Sequence, residues 1–400
     1  MKSFFNPKTI AVIGASTNPH KVGGILMNKL KSFNGDIIPI NPKLEYKTVH
    51  QYKKSIDLAI IVVPAKFVPR VLEQCGKKKI RNVIIISAGF SEVGNIKGSK
   101  QIQSIATKYE INFLGPNCFG ITNSSNNLDT TFAKETPKKG TISFISQSGA
   151  LWSYIADLNL GFSKFISLGN PIGLGFPEVL DYLNKDKQTK SIMLYIEKIS
   201  NGKEFIRIAK KCKKPIYAIK AGKTQQGVQA AISHTGSLAT DYEIYKGMFK
   251  QTNIILCNSI EEALEKTSGK PIGKKKIKLD LGINKTLIIT NAGGAGALAS
   301  DYLSKRNIKT KMIDLLGTAT SLEYKKELHK HKKENILLIV TPQAMTDVEE
   351  ISRVIIDFKK QNKNSKMIIC LLGSKSMQPS INLLRKNKIS VTNTLGPLKK

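Results

Sequence analysis

The sequence predicts a mixed α/β protein made of three modules in tandem, each built on a parallel, doubly wound sheet. Short aliphatic and β-branched runs alternate with longer polar stretches of helical character along the whole chain. Such runs are typical of strands buried on both faces, where helices form the crossovers. The pattern restarts after polar or basic stretches, and a chain of 400 residues suits two or three ordinary domains. We therefore expect three sheets rather than one.

The three modules are predicted from the places where this strand pattern restarts. The first covers residues 1–130, the second 138–270 and the third, after a basic linker, 280–400. The expected strands are 9–13, 35–40, 58–63 and 83–87 in the first module, 141–146, 164–167, 191–196 and 215–220 in the second, and 286–290, 335–340 and 365–372 in the third. Ligands of open α/β sheets collect where parallel strands end, so functional residues are expected in the turns that follow these strands.

The net charge of +34 is high enough to suggest a nucleic-acid-binding protein. The lysines are nevertheless spread along the whole chain and do not alternate with aromatic residues that could stack on bases. A solvated, lysine-rich surface is therefore favoured over a nucleic-acid interface, and its field would attract small anions such as nucleotides, phosphate and coenzyme A (CoA).

Cysteine usage and hydropathy indicate the compartment. Five widely spaced cysteines without a C-x-x-C pair predict neither a disulfide framework nor a zinc site. No apolar run reaches the ~18 residues of a membrane span, and the N-terminal residues lack the apolar core of a signal peptide. We therefore expect a cytoplasmic protein without a membrane segment or a bound metal.

The turn after the first strand has the composition of a phosphate-binding turn. Gly14, Ser16 and Thr17 would let an anion approach backbone N–H groups at the start of the next helix. A tight turn without a ligand is the alternative, and the absence of G-x-G-x-x-G weakens an NAD interpretation. Lys43 follows the second strand, where an NAD site needs an acidic residue, so a phosphorylated ribose is favoured, as in CoA, and NADP stays open. Pro64 follows the third strand at the same edge.

His234 is the candidate catalytic residue among the five histidines. It lies among small and hydroxyl residues, Ser233-His234-Thr235-Gly236-Ser237, which offer donors for an anion. No cysteine, carboxylate or second histidine stands at metal-ligand spacing, so nucleophilic or phosphate-carrying work is favoured over zinc binding. A purely structural histidine is the alternative.

Two other turns of the second module would complete such a site. Glu197 ends the apolar strand 191–196 and could fix the tautomer of a carrier imidazole, although a charge at a strand rim is often simply solvated. Ser146-Gln147-Ser148-Gly149 follows the strand 141–146 and opens a helical stretch, an arrangement that binds phosphate. A plain serine N-cap is the alternative there, and the G-x-S-x-G pattern of serine hydrolases does not occur.

Taken in order, these motifs resemble the α subunits of ADP-forming acetate–CoA ligases, which are NDP-forming acyl-CoA synthetases of the succinyl-CoA synthetase superfamily. The resemblance covers essentially the whole chain and is most specific from Lys214 to Ala239. The other matching motifs are residues 11–16, 40–43, 115–118, 146–149, 168–170, 195–197, 290–294 and 341–346.

The resemblance implies a CoA-binding Rossmann domain followed by two flavodoxin-like α/β domains, of which the first carries the histidine. It also implies a reaction in which phosphate attacks an acyl-CoA to give acyl phosphate and CoA. His234 then takes the phosphoryl group and passes it to ADP, and the reverse direction activates a small carboxylic acid with ATP. The residues that the resemblance assigns are His234 and Glu197 for phosphoryl transfer, Ser146, Ser148 and Gly149 for phosphate, and Gly14, Ser16, Thr17, Lys43 and Pro64 for CoA.

A partner follows from the same resemblance. No ATP-grasp segment is visible in the sequence, so a separate ATP-grasp β subunit is expected to bind ADP or ATP with Mg²⁺, in an α2β2 heterotetramer. Residues 171–177 depart from the family pattern, which is acidic there, and the stretch around Met312-Ile313-Asp314 is shortened. A non-catalytic CoA-binding regulatory paralogue is the first alternative. An NADP-dependent oxidoreductase is the second, but it leaves the second module unexplained.

Overall fold

The computed structural model describes residues 1–235, 241–272 and 285–395, without the side chains of residues 233–235. In this part of the chain helices alternate with strands of three separate sheets, so the predicted α/β class is confirmed. Every strand expected from the sequence is present, with ends shifted by no more than three residues. No helix in the described ranges is both long enough and apolar enough to cross a bilayer.

The first sheet is an open parallel sheet. Its elements are α1 Lys2–Phe5, β1 Thr9–Ile13, α2 Val22–Lys29, β2 Asp36–Ile40, β3 Leu58–Ile61, α3 Val68–Lys77, β4 Asn82–Ile85, α4 Ile96–Lys108 and β5 Asn112–Leu114. Within the described residues the strand order is β2-β1-β3-β4-β5, and the pairings are parallel. β1 and β3 are buried along their whole length because α1 and α2 cover one face while α3 and α4 cover the other.

The second sheet is larger and carries two antiparallel strands at one side. Its elements are β6 Ile121–Asn123, β7 Leu128–Asp129, β8 Lys138–Ser146, α5 Ala150–Ala156, β9 Gly161–Ser167, α6 Phe176–Lys185, β10 Ser191–Ile196, α7 Gly202–Lys211, β11 Ile216–Lys220, α8 Gln225–Thr235, α9 Tyr242–Lys250, β12 Ile254–Leu256 and α10 Ile260–Ser268. In the described part of the chain the order is β12-β11-β10-β8-β9-β6-β7. β6 and β7 come from residues of the predicted first module, but they extend this sheet in antiparallel pairing.

The third sheet repeats the architecture of the first. Its elements are β13 Lys285–Thr290, α11 Gly293–Ser304, β14 Lys309–Asp314, α12 Ser321–Lys330, β15 Ile336–Val340, α13 Val348–Gln361, β16 Met367–Leu371, α14 Gln378–Lys386 and β17 Val391–Thr392. The described strands are all parallel, in the order β14-β13-β15-β16-β17. The strands that the sequence pattern missed lie at or next to a sheet edge: β5, β6, β7, β12, β14 and β17.

All three sheets share one topology. In each, the first parallel strand lies between the second and the third. The direction in which strands are added to the sheet therefore reverses at the first strand, which places a switch point between β1 and β3, between β8 and β10, and between β13 and β15. Ligands of open α/β sheets bind at the carboxyl ends of strands at this switch point. The candidate motifs at residues 14–17, 146–149 and 291–294 are the turns after β1, β8 and β13.

The three sheets are packed together by shared hydrophobic cores. One core continues from the faces of β1 and β3 into α6 of the second sheet. Another joins α5 and β10 to α11, a helix whose glycines and alanines are almost completely buried. The second and third sheets therefore enclose α11 between them. The module boundaries given above remain predictions.

Candidate functional site

The turn after β1 passes close to two neighbouring strands. Gly14 has a left-handed φ of +100°, and its N–H donates to Ile40 O at 2.9 Å, at the end of β2. A Cβ on Gly14 would lie 2.8 Å from Val62 O, and one on Gly23 of α2 would lie 2.1 Å from Gly14 O. Only residues without a side chain therefore fit where β1, β3 and the start of α2 converge.

The other residues predicted to bind CoA follow strands that are neighbours in the first sheet. They are Ser16 and Thr17 in the turn after β1, Lys43 beyond β2 and Pro64 after β3, and all except the half-buried Ser16 are exposed. Asn41 joins two of these turns, since its Nδ2 donates to Ala15 O at 2.8 Å. The structure thus brings the five residues to one edge, at the switch point between β1 and β3.

The turn after β8 contains a buried hydroxyl without a hydrogen-bond partner in the described part of the chain. Ser146 Oγ donates to Ser148 O at 2.6 Å and so fixes the turn. Ser148 Oγ makes no such bond, although the residue is only 1% exposed. A Cβ on Gly149 would lie 2.5 Å from Phe119 Cβ, so the chain runs close to its neighbour here. Buried polar groups normally have a partner, which makes Ser148 Oγ a candidate ligand of phosphate.

Gln147 connects this turn to Glu197. Its side-chain oxygen accepts the backbone N–H of Glu197 at 2.7 Å and that of Lys198 at 2.9 Å. Glu197 is buried and follows β10, the strand next to β8. The turns after β8 and β10 are therefore held side by side. Gln147 belongs to a motif that is visible in the sequence, but its role could not be predicted there because its partners lie 50 residues away.

The third sheet closes the same site from the other side. Tyr195 of β10 donates its hydroxyl to Gly294 O at 3.1 Å. A Cβ on Gly294 would lie 2.4 Å from Ser148 Oγ and 3.0 Å from Tyr195 Oη. The first turn of α11 thus lies directly against the turn after β8. Burial, and then the Glu197 carboxylate, raise the pKa of Tyr195 well above its usual value.

A buried lysine lies beside Glu197. Lys220 ends β11 in register with Ile196, the last residue of β10, and is only 2% exposed. Its ammonium donates to Ala221 O and lies 4.6 Å from the centre of the Tyr245 ring. Burial lowers the pKa of Lys220 to about 8, while Glu197 and Asp301 act in the opposite direction. A positive charge is therefore held inside the site at neutral pH.

The first and second sheets meet at this site as well. Asn170, beyond β9, donates its Nδ2 to Glu92 at 2.7 Å in the loop after β4. Phe119 N donates to Ser167 Oγ at 2.8 Å, and a Cβ on Gly169 would lie 2.4 Å from Asn117 O. The loops that end strands of the first sheet are therefore packed against those of the second.

His234 lies near the C-terminal end of α8, which also contacts α11 and the turn Ser91–Val93 in the loop after β4. Its side chain and the following residues 236–240 lie outside the described part of the chain. The predicted role of His234 therefore remains a prediction. In the described ranges no group of three or more His, Cys, Asp or Glu residues is placed to hold a metal ion.

Comparison with protein families gives two matches, one over the first sheet and β6 and one over most of the second sheet. Residues 8–124 match a CoA binding domain, and residues 139–268 match a succinyl-CoA ligase like flavodoxin domain. The two matches cover the turns after β1 and after β8, together with Glu197 and His234. The predicted CoA-binding domain and the first of the predicted flavodoxin-like domains are thereby confirmed.

The chain is also similar to proteins of known activity. It is 37% identical to the α subunit of ADP-forming acetate–CoA ligase II of Pyrococcus furiosus, over 96% of this chain and 93% of the relative. It is 46% identical to ADP-forming acetate–CoA ligase of Methanocaldococcus jannaschii over 77% of this chain, which corresponds to only 45% of that relative. Among solved structures it resembles the dinucleotide-forming acetyl-coenzyme A synthetase 1 of Ca. Korarchaeum cryptofilum in complex with phosphate and ADP. The TM-score is 0.65 at 31% identity, over 99% of this chain and 94% of that chain.

Proposed function

The chain belongs to the ADP-forming acetate–CoA ligase family, and on that premise we propose that it is the CoA-binding, phosphohistidine-carrying subunit of an NDP-forming acyl-CoA synthetase. The reaction converts acyl-CoA, ADP and phosphate into a carboxylic acid, CoA and ATP, and its reverse activates the acid. The protein is then an acid–thiol ligase. Acetyl-CoA is the acyl-CoA to test first, because acetate is named in the relatives above.

The exposed edge of the first sheet would bind CoA. Gly14 and Gly23 let β1, β3 and the start of α2 converge without intervening side chains, so the turn after β1 stays tight. A diphosphate would then meet the N–H groups of this turn and of the start of α2. Ser16, Thr17 and Pro64 would line the same edge. Lys43 is exposed beyond β2 and would pair with the 3′-phosphate of the CoA ribose.

The first chemical step would take place where the first and second sheets meet. A phosphate oxygen attacks the carbonyl carbon of the thioester, the C–S bond breaks, and the CoA thiolate leaves with the electron pair. Ser146, Ser148 and Gly149 would hold the phosphate, and the buried Ser148 hydroxyl, which has no hydrogen-bond partner among the described residues, would donate to it. A buried site also keeps water away from the acyl phosphate that forms.

The second step would transfer the phosphoryl group to His234. An imidazole nitrogen attacks phosphorus and the carboxylate of the acid leaves. The buried Glu197 would orient the imidazole and stabilise its positive charge, the role that a carboxylate beside a histidine commonly has. The ammonium of Lys220 lies nearby and would offset part of the negative charge of phosphate and Glu197.

The phosphoryl group would then pass to ADP on a partner. We expect a separate ATP-grasp β subunit that binds ADP or ATP with Mg²⁺, in an α2β2 assembly. The α-subunit name of the Pyrococcus relative, which this chain matches over nearly its full length, supports a subunit of this kind. The relative from Methanocaldococcus is about twice as long as the matching segment, so the two functions are compatible with one chain or with two.

The observation that carries this proposal is the buried site formed by the turns after β8 and β10 and the start of α11. To test it, the purified chain is mixed with its candidate β subunit, acetyl-CoA and labelled phosphate. We expect acid-labile label on the chain, which is lost in His234→Ala.

His329→Ala is the matched control, because His329 is exposed on α12, away from the site, and the label should persist there. Label that remains on His234→Ala would show that another residue carries the phosphate. Absence of label on the wild-type chain, with a competent partner and several acyl-CoAs, would favour a CoA-binding regulator over a ligase.

A further inference from the structure

A carboxylate on α11 holds the N-terminal end of the helix that carries His234. Asp301 accepts the N–H of Gly222, Lys223 and Thr224, each at 2.8 Å, and the Thr224 hydroxyl at 3.0 Å. These residues form the turn between β11 and α8. The Thr224 hydroxyl in turn caps α8, because its oxygen accepts the N–H of Gly227 at 3.1 Å. Asp301 therefore holds both the residue that caps α8 and the turn before it, and a negative charge is favourable at this end of a helix.

The packing around Asp301 leaves α8 little freedom at this end. Asp301 is only 1% exposed, and a Cβ on Gly227 would lie 1.9 Å from its Oδ1. Gln226 of α8 donates to Ser304 Oγ at 3.1 Å and to Ile308 O at 3.3 Å. The carboxylate thus binds the turn before α8, while the amide of Gln226 binds the first turn of α8 to the end of α11 and to Ile308 just beyond it.

We propose that Asp301 is a positioning residue for phosphoryl transfer, because it fixes the end of α8 from which His234 is held in place. The inference rests on the proposed role of His234. His234 is ten positions after Thr224, which is about 15 Å along a helix. A rotation of about 4° at the Asp301 end therefore moves the far end by about 1 Å. Displacements of that size at a reacting group can lower a rate by up to about a hundredfold.

The charge of Asp301, and not only its shape, is needed for this contact. All the groups that face it from the turn are donors, and they use both carboxylate oxygens: Gly222 donates to Oδ2, while Lys223 and Thr224 donate to Oδ1. An asparagine keeps one acceptor and places an NH₂ group against a backbone N–H. Asp301→Asn therefore keeps the volume but loses at least one bond and repels its donor.

A second buried carboxylate offers a matched control. Asp157, after α5, accepts the N–H of Ser374 at 2.5 Å and of Ser376 at 3.1 Å. It is 3% exposed and joins the second sheet to the third, as Asp301 does, but these bonds go to the turn after β16 and not to α8. Asp157→Asn therefore reproduces the loss of an inter-sheet carboxylate without moving the histidine helix.

The test separates the two chemical steps in the complex of the chain with its candidate β subunit. Acetyl-CoA and labelled phosphate are added without ADP, and rapid quenching follows both CoA release and acid-labile label on the chain. In Asp301→Asn we expect the rate of labelling to fall about tenfold or more, while CoA release in the first turnover stays within about twofold of wild type. Asp157→Asn should leave the ratio of the two rates unchanged.

Two results would overturn the inference. One is a labelling rate of Asp301→Asn equal to that of wild type, and the other is a parallel fall of both rates, which a general loss of structure would cause. If Asp301→Asn does not fold, Thr224→Ala decides the question, because it removes one of the four bonds to Asp301 together with the acceptor of the Gly227 N–H at the same end of α8. A selective fall in labelling supports the inference, and an unchanged labelling rate contradicts it. Failure of the wild-type chain to become labelled would instead contradict the proposed function.

Discussion

The two edges that form the candidate site differ in their exposure to solvent. At the edge of the first sheet Thr17 and Lys43 are exposed, whereas Ser148 and Glu197 at the second sheet are buried. The proposed roles account for this difference. A substrate as large as CoA would have to enter and leave in every turnover, which requires binding groups that face solvent. An acyl phosphate or a phosphohistidine would have to be kept from water, which requires a site enclosed by protein.

The two edges also differ in how they are supported. The first is stabilised by bonds within its own sheet, such as that from Asn41 to Ala15 O. The second depends on contacts between sheets, such as Tyr195 with Gly294 and Asp301 with the turn before α8. We therefore expect substitutions at the buried edge to have large effects on phosphoryl transfer, and those at the exposed edge to have small effects confined to CoA binding.

The largest effect is expected for Gly294→Ala. Its Cβ would lie 2.4 Å from Ser148 Oγ, so the turn after β8 or the start of α11 must move. We expect labelling of the chain by phosphate to fall about a hundredfold, with the Kd for CoA unchanged, because the first sheet is not touched. Rapid-quench labelling and calorimetric titration with CoA measure the two quantities.

Gly247→Ala is the matched control for this substitution. Gly247 lies in the interior of α9, and apart from its chain neighbours and the adjacent backbone of α9 no atom of the described chain lies within 4 Å of the position of an added Cβ. Its labelling rate should equal that of wild type. A Gly294→Ala variant that is labelled at the wild-type rate would show that contact between the second and third sheets does not shape the phosphate site.

The next effect concerns the charge buried at Lys220. Its pKa is lowered to about 8 in the folded chain, mainly by burial, and Lys223 lowers it further while Glu197 and Asp301 raise it. As the pH rises, the folded state therefore loses the Lys220 proton at a lower pH than the unfolded state does. The contribution of Lys220 to the free energy of unfolding consequently rises with pH between about 8 and 10.5. Lys220→Met removes that rise, and its free energy of unfolding relative to wild type should fall by about 2 to 3 kcal/mol from pH 7 to pH 10.

Urea unfolding at several pH values measures this difference. Lys203→Met, at a solvent-facing position in the first turn of α7, is the control, and its difference from wild type should not change with pH by as much. A Lys220→Met difference that is constant from pH 7 to pH 10 would mean that the ammonium is not buried in the way the structure shows.

A smaller effect is expected for Gln147→Ala, which leaves the N–H groups of Glu197 and Lys198 without their acceptor. Unpaired buried donors cost about 1 to 3 kcal/mol, and we expect overall turnover to fall about tenfold as the two turns separate. Gln103→Ala is the control, since Gln103 is exposed on α4 and donates to Ile172 O. Equal turnover in the two variants would show that Gln147 does not position Glu197.

The sequence predicted the interior of each sheet better than its edges. β1, β3, β10 and β15 are buried on both faces, which requires an uninterrupted apolar run that is easily recognised. Edge strands such as β14, with its sequence Lys309-Thr310-Lys311-Met312-Ile313-Asp314, are covered on fewer sides and keep polar residues. The turns after β1 and β8 were recognisable because small residues directly after an apolar strand indicate a tight turn that an anion can approach.

The contacts between sheets could not be predicted in the same way. Asp301 binds residues that lie 77 to 79 positions earlier, and no local pattern indicates such a pair. One signal was present: Asp301 is the single charged residue of α11, which consists mainly of glycine, alanine and other small or apolar residues. A carboxylate in so buried a helix needs a set of donors, and their identity follows only from the fold.

The smallest effect is expected at the exposed edge, for Lys43→Ala. A single exposed ion pair contributes little and is screened by salt, so we expect the Kd for CoA to rise about three- to fivefold at low ionic strength and less at high. The informative comparison is with dephospho-CoA, which lacks the 3′-phosphate. Its Kd should be the same for wild type and Lys43→Ala, and Lys31→Ala, an exposed lysine beyond α2, should change neither ligand's affinity. If Lys43→Ala raises the Kd of both ligands by the same factor, Lys43 acts on the diphosphate or through the overall positive field of the protein. The predicted pairing of Lys43 with the ribose 3′-phosphate would then be wrong.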